Sequence, residues 1–204
     1  ILLGINSGRL GFLAGVSLSN ATKAIENLQK GHYQTDIRSL IELESNENLF
    51  EGVRYALNDF VILKKDTSSM IIIHTFINGE FLNSYWSDGL IVSTPTGSTG
   101  YSLSCGGPIV YPTSSSFAIT PVAPHNLNVR PIIVSDDNIL SFEIEGRASS
   151  YLISLDSRSE SVTNKVQLAI KKADFKFLLV RFNDENYLKT LRSKLMWGVD
   201  NRNV

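Results

Sequence analysis

The dipeptide Asn78-Gly79 separates two stretches that favour β-strand, residues 70–77 and 80–85. Both central residues of a type I′ turn need positive φ, and Asn followed by Gly meets that need with little strain. The sequence therefore predicts a β-hairpin here, which commits this part of the chain to an antiparallel sheet.

Alternation of apolar and polar residues continues through most of the chain between residues 35 and 182. It is clear at Leu140, Phe142 and Ile144, which alternate with polar neighbours. Short polar turns separate the successive stretches. Residues 35–182 are therefore predicted to form a β-sandwich-like domain.

Residues 1–34 predict one strand followed by one helix. Residues 1–5 are continuously apolar, which is typical of a strand buried on both faces of a parallel sheet. The helix that follows has Ser17 or Ser19 as its candidate N-cap. Because a buried strand needs neighbours on both sides, we expect a further segment upstream of Ile1.

Residues 183–204 predict a helix in which Leu188, Leu191 and Leu195 share one face, with Asp184 as candidate N-cap. This helix is expected to return to the domain that residues 1–34 begin. The fold class is then α/β plus all-β, with α/β pieces bracketing a β-sandwich-like domain.

The charge balance gives no sign of a large anionic partner. The chain has 19 basic and 20 acidic residues, a formal net charge of −1, and no block of like charges. We therefore expect neither nucleic acid nor a membrane surface as partner. The apolar stretches are shorter than the roughly 18 residues that a spanning helix needs, and the single Cys105 permits a reducing compartment, so we expect a cytoplasmic protein.

Small hydroxyl residues and glycines are concentrated in residues 88–112, DGLIVSTPTGSTGYSLSCGGPIVYP. Glycines let a ligand approach the backbone, and hydroxyls can bond ribose or phosphate oxygens. The segment is neither a Walker loop nor a Rossmann fingerprint. Its composition alone leaves open an ordinary loop with turn and cap roles.

Four sequence blocks in this order resemble the signature blocks of ATP-dependent NAD kinases. They are GINSGRLGFL at residues 4–13, LNDFVI at 57–62, DGLIVSTPTGSTGYSLSCGGPI at 88–109 and PHNLNVRPIIV at 124–134. The resemblance implies the C-terminal part of an α/β nucleotide-binding domain around the β-sandwich-like domain. It also implies transfer of phosphate from ATP, with Mg²⁺, to the 2′-hydroxyl of the adenosine ribose of NAD, by a homo-oligomer.

The resemblance carries a set of NAD-binding residues onto this chain. They are Asn58, Asp59, Asp88, Thr99, Gly100, Tyr101, Ser102, Leu103 and Ser104. Two of them depart from the family pattern, since Asp59 stands where Glu is usual and Gly100 where Ala is common. The family's late Asp-Gly-Gln turn corresponds to residues 156–158, where Arg158 adds positive charge to the site or belongs to a plain solvated turn.

The family's Gly-Gly-Asp-Gly-Thr motif, whose aspartate is thought to act as the base, does not occur in this sequence. No catalytic residue is therefore assigned here, and the base is expected upstream of Ile1. On this interpretation the chain alone is inactive and holds mainly the NAD-binding part. The alternative is a non-catalytic dinucleotide-binding module. No metal site is predicted, because the histidines lack partners at metal-ligand spacing.

Overall fold

A computed structural model describes residues 1–8, 12–65, 69–182 and 186–196. The chain forms two compact units, the first made of Ile1–Arg38 and Phe177–Val204 and the second of Ser39–Lys176. The sequence-based bounds of the β region, residues 35 and 182, lie a few residues outside the second unit. The difference arises because strands 34–38 and 177–181 pair with each other within the first unit.

The described residues form strands β1–β16 and helices α1–α3. In chain order the strands are Ile5–Asn6, Val16–Ser17, Gln34–Arg38, Ile41–Ser45, Tyr55–Ala56, Asp59–Lys64, Ile71–Ile77, Glu80–Ser87, Gly89–Ser93, Ser116–Val122, Ile132–Ser135, Leu140–Glu145, Tyr151–Leu155, Arg158–Val162, Leu168–Lys172 and Phe177–Arg181. The helices are Ala21–Gln29, Tyr101–Ser104 and Tyr187–Leu195, and short 3₁₀ turns lie at Leu18–Asn20, Phe50–Gly52 and Gly97–Thr99.

The second unit is a sandwich of two six-stranded sheets, with strand orders β11-β10-β9-β6-β13-β14 and β5-β4-β15-β12-β7-β8. Alternate residues of each strand point inward, and residues of both sheets share one apolar core. The rings of Phe60 and Phe142, one from each sheet, lie 5.6 Å apart between centroids. The predicted β-sandwich-like domain is confirmed.

The hairpin at Asn78-Gly79 is also confirmed. Strands β7 and β8 pair antiparallel with Ile77 opposite Glu80. Asn78 and Gly79 have φ of 52° and 82°, as the turn chemistry requires. The Asn78 side chain further accepts a hydrogen bond from the backbone N–H of Ile139 at 2.9 Å, which ties this turn to the start of β12.

The first unit has short strands around a small core. Strands β1 and β2 are parallel, β3 and β16 are antiparallel, and Leu2 forms a single bridge with Leu179. The prediction of a strand buried on both faces at residues 1–5 is wrong for the described residues, since Ile1 is 70% exposed and Leu2 is 53% exposed. The regular strand is only two residues long, so few neighbours cover these side chains.

The predicted helices form, but with different caps. The 3₁₀ turn Leu18–Asn20 precedes α1, whose N-cap is Asn20, while Ser17 and Ser19 bond each other at 2.9 Å. Ser17 is the N-cap residue of the 3₁₀ turn, not of α1, and its side chain makes no capping hydrogen bond. Helix α3 is capped by Asn186, which accepts a hydrogen bond from the Leu188 N–H at 2.9 Å. The candidate cap Asp184 lies outside the described residues.

The face predicted for α3 is only partly buried. Leu191 is buried, whereas Leu188 and Leu195 are exposed. In the part of the chain that the structure describes, no helix is long and apolar enough to cross a membrane.

Candidate functional site

Asn58 and Asp59 lie where β6 begins, beside the carboxyl end of β9. Asp59 is opposite Ser93, the last residue of β9, so the loop of residues 94–112 starts next to this pair. Phe60 faces the core of the sandwich, and Asp59 therefore points to the other face of the sheet. The Asp59 residue is nonetheless only 8% exposed.

The backbone of Asn58 is held by the start of this loop. The Thr94 N–H donates to the Asn58 carbonyl at 2.8 Å, and the Thr94 hydroxyl donates to the Leu57 carbonyl at 2.6 Å. Gly97 packs so closely that a Cβ there would lie 2.1 Å from the Asn58 carbonyl oxygen. Glycine is therefore required at position 97 for the loop to sit against β6.

The turn between β13 and β14 holds the same segment from another side. Its residue Asp156 has a φ of 52°, in the left-handed region. The Asp156 carboxylate accepts hydrogen bonds from three successive backbone N–H groups. These donors are Leu57 at 2.9 Å, Asn58 at 2.7 Å and Asp59 at 3.2 Å.

Arg158 follows in β14 and holds the residues just before this segment. Its guanidinium donates to the carbonyl oxygens of Val53 and Tyr55 and lies 5.6 Å from the ring centroid of Phe50. The charged group of Arg158 thus contacts two backbone carbonyls and an aromatic ring. This corrects the interpretation of a plain solvated turn, whereas a contribution of the Arg158 charge to the site stays a prediction.

The environment of Asp59 favours its protonated form. Burial, and after it the neighbouring negative charge of Asp156, together raise the pKa of Asp59 from 3.8 to about 6. Above that pH the carboxylate can accept hydrogen bonds from sugar hydroxyls. Below it, the carboxyl can donate one.

Residues 99–104 lie over the outer face of the sheet that contains β6 and β9. Helix α2 is fixed there by Ser102, whose buried hydroxyl bonds that of Thr120 in β10 at 2.9 Å. The Thr99 hydroxyl donates to the Thr96 carbonyl at 3.4 Å. Gly100, Tyr101 and Ser104 are exposed, and Leu103 is half-buried, so this segment presents both hydroxyl and aromatic groups to a ligand.

Tyr101 lies within electrostatic reach of two predicted site carboxylates. Burial raises the pKa of Tyr101, and Cys105, Asp88 and Asp59 raise it further. Cys105 bonds Tyr101, and burial raises the pKa of its thiol, which disfavours the nucleophilic thiolate.

Asp88 lies at the opposite end of β9 from the Asn58 and Asp59 pair. With five residues from Asp88 to Ser93, the two ends are about 16 Å apart along the strand. Its carboxylate pairs with the ammonium of Lys64 at 2.6 Å, and its N–H donates to the Val122 carbonyl at 2.9 Å. Asp59 and Asp88 thus lie at opposite ends of β9, and Tyr101 of the segment 99–104 interacts electrostatically with both.

Part of the first sequence block that resembles the NAD kinase family, GINSGRLGFL, cannot be placed in this site. The first glycine-rich block includes Arg9, which lies outside the described residues. Among the residues that are described, no three His, Cys, Asp or Glu side chains come close enough to hold a metal ion. The site described here therefore consists of carboxylates, amides, hydroxyls and one exposed aromatic ring.

Comparison with known sequences identifies relatives over nearly the whole chain. The family model of the ATP-NAD kinase C-terminal domain matches residues 57–182. An NAD kinase of Cytophaga hutchinsonii is 58% identical over 202 residues, which are 99% of this chain and 69% of that protein. An NAD kinase of Flavobacterium johnsoniae is 51% identical over 204 residues, again 99% and 69%.

Solved structures show the same fold. A yeast NADH kinase complexed with NADH superposes with a TM-score of 0.88 at 22% identity, covering 99% of this chain and 61% of that one. An NAD kinase of Archaeoglobus fulgidus in complex with ATP gives a TM-score of 0.78 at 26% identity, covering 95% and 73%. At 22% identity the yeast enzyme supports the fold alone.

Proposed function

Because the chain belongs to the NAD kinase family, we propose that it binds NAD for transfer of phosphate from ATP to the 2′-hydroxyl of the adenosine ribose. The proposal rests on the arrangement of residues at the start of β6. There the backbone of Asn58 and Asp59 is fixed from two sides while the exposed Tyr101 lies within reach of Asp59. This is a rigid polar site next to an aromatic surface.

The proposed roles follow from the chemistry of each group. The Asp59 carboxylate accepts a hydrogen bond from a ribose hydroxyl, and the Asn58 amide both donates and accepts. The Tyr101 ring packs against the adenine or ribose. Catalysis of phosphoryl transfer is mostly positioning and charge stabilisation, so groups that fix the dinucleotide contribute directly to rate.

We assign Asp88 to the nicotinamide end of NAD. Its distance from Asp59 along β9 suits a ligand with two separate nucleoside halves, and residues 99–104 lie over the sheet between them. Lys64 orients the Asp88 carboxylate through their ion pair. The remaining members of the proposed NAD site, Thr99, Gly100, Ser102, Leu103 and Ser104, shape this surface.

The donor is proposed to enter as the complex of Mg²⁺ with ATP, so that the metal is part of the substrate. We also propose that the protein is a homo-oligomer in the cytoplasm. Strands β8 and β11 are at the edges of their sheets and carry exposed apolar side chains, among them Trp86 and Ile133. Such edges are surfaces on which a second copy can pack.

The direct test measures NADP formation and NAD binding by the protein that contains this chain. NAD-dependent consumption of ATP with formation of NADP is expected. NAD binding without turnover would favour a non-catalytic dinucleotide-binding module, and failure to bind NAD would refute the proposal.

Asp88→Ala tests the site separately. Loss of a charged hydrogen-bond acceptor is expected to raise the dissociation constant for NAD by about tenfold or more. Glu47→Ala, which removes an exposed carboxylate elsewhere on the sandwich, is the matched control. An unchanged NAD affinity in Asp88→Ala would exclude Asp88 from the site.

A further inference from the structure

The turn between β13 and β14 contacts the segment before β6 through two of its residues. Asp156 accepts the N–H groups of the three residues 57–59, and Arg158 donates to the carbonyls of Val53 and Tyr55. The negative Asp156 thus binds N–H groups of this segment, and the positive Arg158, two positions later at the start of β14, binds its carbonyl groups. Asn58 and Asp59 are the last two residues of this segment, 53–59.

The Asp156 carboxylate satisfies donors that the sheet does not. β13 pairs with β6 from Phe60 onward, so residues 57 to 59 precede the regular ladder between these two strands. Three successive N–H groups converging on one anion form a concave backbone site of the kind that binds anions. Removing the anion leaves partly buried donors without an acceptor, which is costly.

Asp156 also completes the fixation of Asn58. The peptide N–H of Asn58 is bound to Asp156 at 2.7 Å, and its carbonyl is bound by the Thr94 N–H at 2.8 Å. The Asp156 N–H in turn donates to the Asp59 carbonyl at 3.0 Å. The pair therefore has little freedom to rotate about its backbone.

Both carboxylate oxygens of Asp156 are engaged by backbone donors. We propose that Asp156 is a positioning residue, which does not bind the ligand but holds Asn58 and Asp59 so that their side chains meet the ribose of NAD. The inference rests on the proposed function. It extends that function to a residue about a hundred positions away along the chain.

The charge of Asp156 gives this role a measurable signature. The ionisable groups that interact with Asp59 include Asp156 from this turn and Tyr101 from α2, and Asp156 contributes to the raised pKa of Asp59. Neutralising Asp156 therefore lowers the pKa of Asp59. The acid limb of the pH profile for NAD binding should then shift to lower pH.

The test compares Asp156→Asn with the wild type and with Ser157→Ala, a control in the same turn. Asparagine tolerates the left-handed φ of position 156, so the backbone conformation is preserved. Calorimetry with NAD across pH is expected to show affinity at least about tenfold weaker for Asp156→Asn, with the acid limb displaced downward. Ser157→Ala should match the wild type, and the KM for ATP should be nearly unchanged.

A double-mutant cycle with Asp59→Asn separates positioning from general structure. If Asp156 acts through this pair, Asp156→Asn weakens NAD binding much less in the Asp59→Asn background. Equal losses in both backgrounds would overturn the proposal.

Two further outcomes are distinct. Wild-type protein that does not bind NAD refutes the proposed function, whereas normal NAD affinity and pH profile in Asp156→Asn refute only the positioning role. If Asp156→Asn does not fold, Asp156→Glu keeps the charge and displaces the carboxylate. It should weaken NAD binding without shifting the pH profile, and unchanged NAD affinity in that variant would contradict the inference.

Discussion

Ionisation of the Asp59 carboxyl costs free energy in the folded protein because of where this residue lies. It is 8% exposed, close to another carboxylate, and has a pKa of about 6 in the folded protein against 3.8 for its ordinary value. The folded state therefore binds more protons than the unfolded state between these two pH values. Stability falls as pH rises through that interval, because the ionised form is disfavoured only in the folded protein.

Asp59→Asn should remove this cost. Above about pH 6 the variant is expected to exceed the wild type in free energy of unfolding by up to about 3 kcal/mol, and below pH 3.8 the two should converge. Urea denaturation at a series of pH values measures the difference. The same substitution should weaken NAD binding, and a difference in stability that is independent of pH would contradict the origin proposed here.

Sequence reasoning identified Asn58 and Asp59 as candidates but not the residue that holds them. The motif that contains them is a short run of consecutive residues and can be recognised in the sequence. Asp156 reaches Asn58 across 98 positions with a side chain that bonds backbone N–H groups, and such a contact leaves no periodicity in the sequence. Arg158 was misread for the same reason, because its partners are carbonyls of residues that sequence does not mark.

Among the elements, the hairpin predicted from turn chemistry was confirmed, whereas the buried strand predicted at residues 1–5 was not. The β7–β8 hairpin follows from Asn78-Gly79 alone, since two residues satisfy the turn. The apolar run at residues 1–5 indicates a capacity for burial. Whether such a run is buried depends on the strands beside it, and Ile1 is 70% exposed in this structure.

The contact between the loop of residues 94–112 and β6 yields an element-scale prediction. Gly97→Ala would place a Cβ 2.1 Å from the Asn58 carbonyl oxygen, so the loop and strand must separate. We expect a loss of about 1–3 kcal/mol in free energy of unfolding, together with weaker NAD binding. Urea denaturation and calorimetry measure the two effects.

Gly100→Ala is the control for this variant. A Cβ at position 100 would have its nearest contact at 3.2 Å, on the Gly97 carbonyl oxygen, and Asn58 is not among its close neighbours. Because Gly100 is itself in the proposed NAD site, the comparison concerns stability, and the loss in free energy of unfolding should be much smaller than for Gly97→Ala. If Gly97→Ala and Gly100→Ala behave alike, close packing against β6 does not control the site.

For the whole molecule, the sandwich depends on contacts between its two sheets. Phe142 is 2% exposed and its ring lies 5.6 Å from that of Phe60 in the facing sheet. Phe142→Ala is expected to lower the free energy of unfolding by about 3–5 kcal/mol. Phe142 packs against the core-facing side of β6, opposite the face to which Asp59 points, so NAD affinity is expected to be retained wherever the variant is folded.

Phe81→Ala provides the matched comparison, because this ring is 56% exposed on the edge strand β8. It should cost about 1 kcal/mol or less. Urea denaturation measures the free energy of unfolding of both variants. Similar losses for Phe142→Ala and Phe81→Ala would show that the inter-sheet core does not dominate stability.

Arg38 and Phe177 are opposite each other in the β3–β16 pair, so their Cα atoms are about 5 Å apart. The sandwich follows Arg38 and ends just before Phe177, and its two ends therefore emerge side by side. A domain whose two chain ends are adjacent can be inserted into another protein, or replaced by a homologous domain, with little distortion of the surrounding chain. The 138 residues from 39 to 176 therefore form a unit whose two chain ends connect to one strand pair of the first unit, β3 and β16.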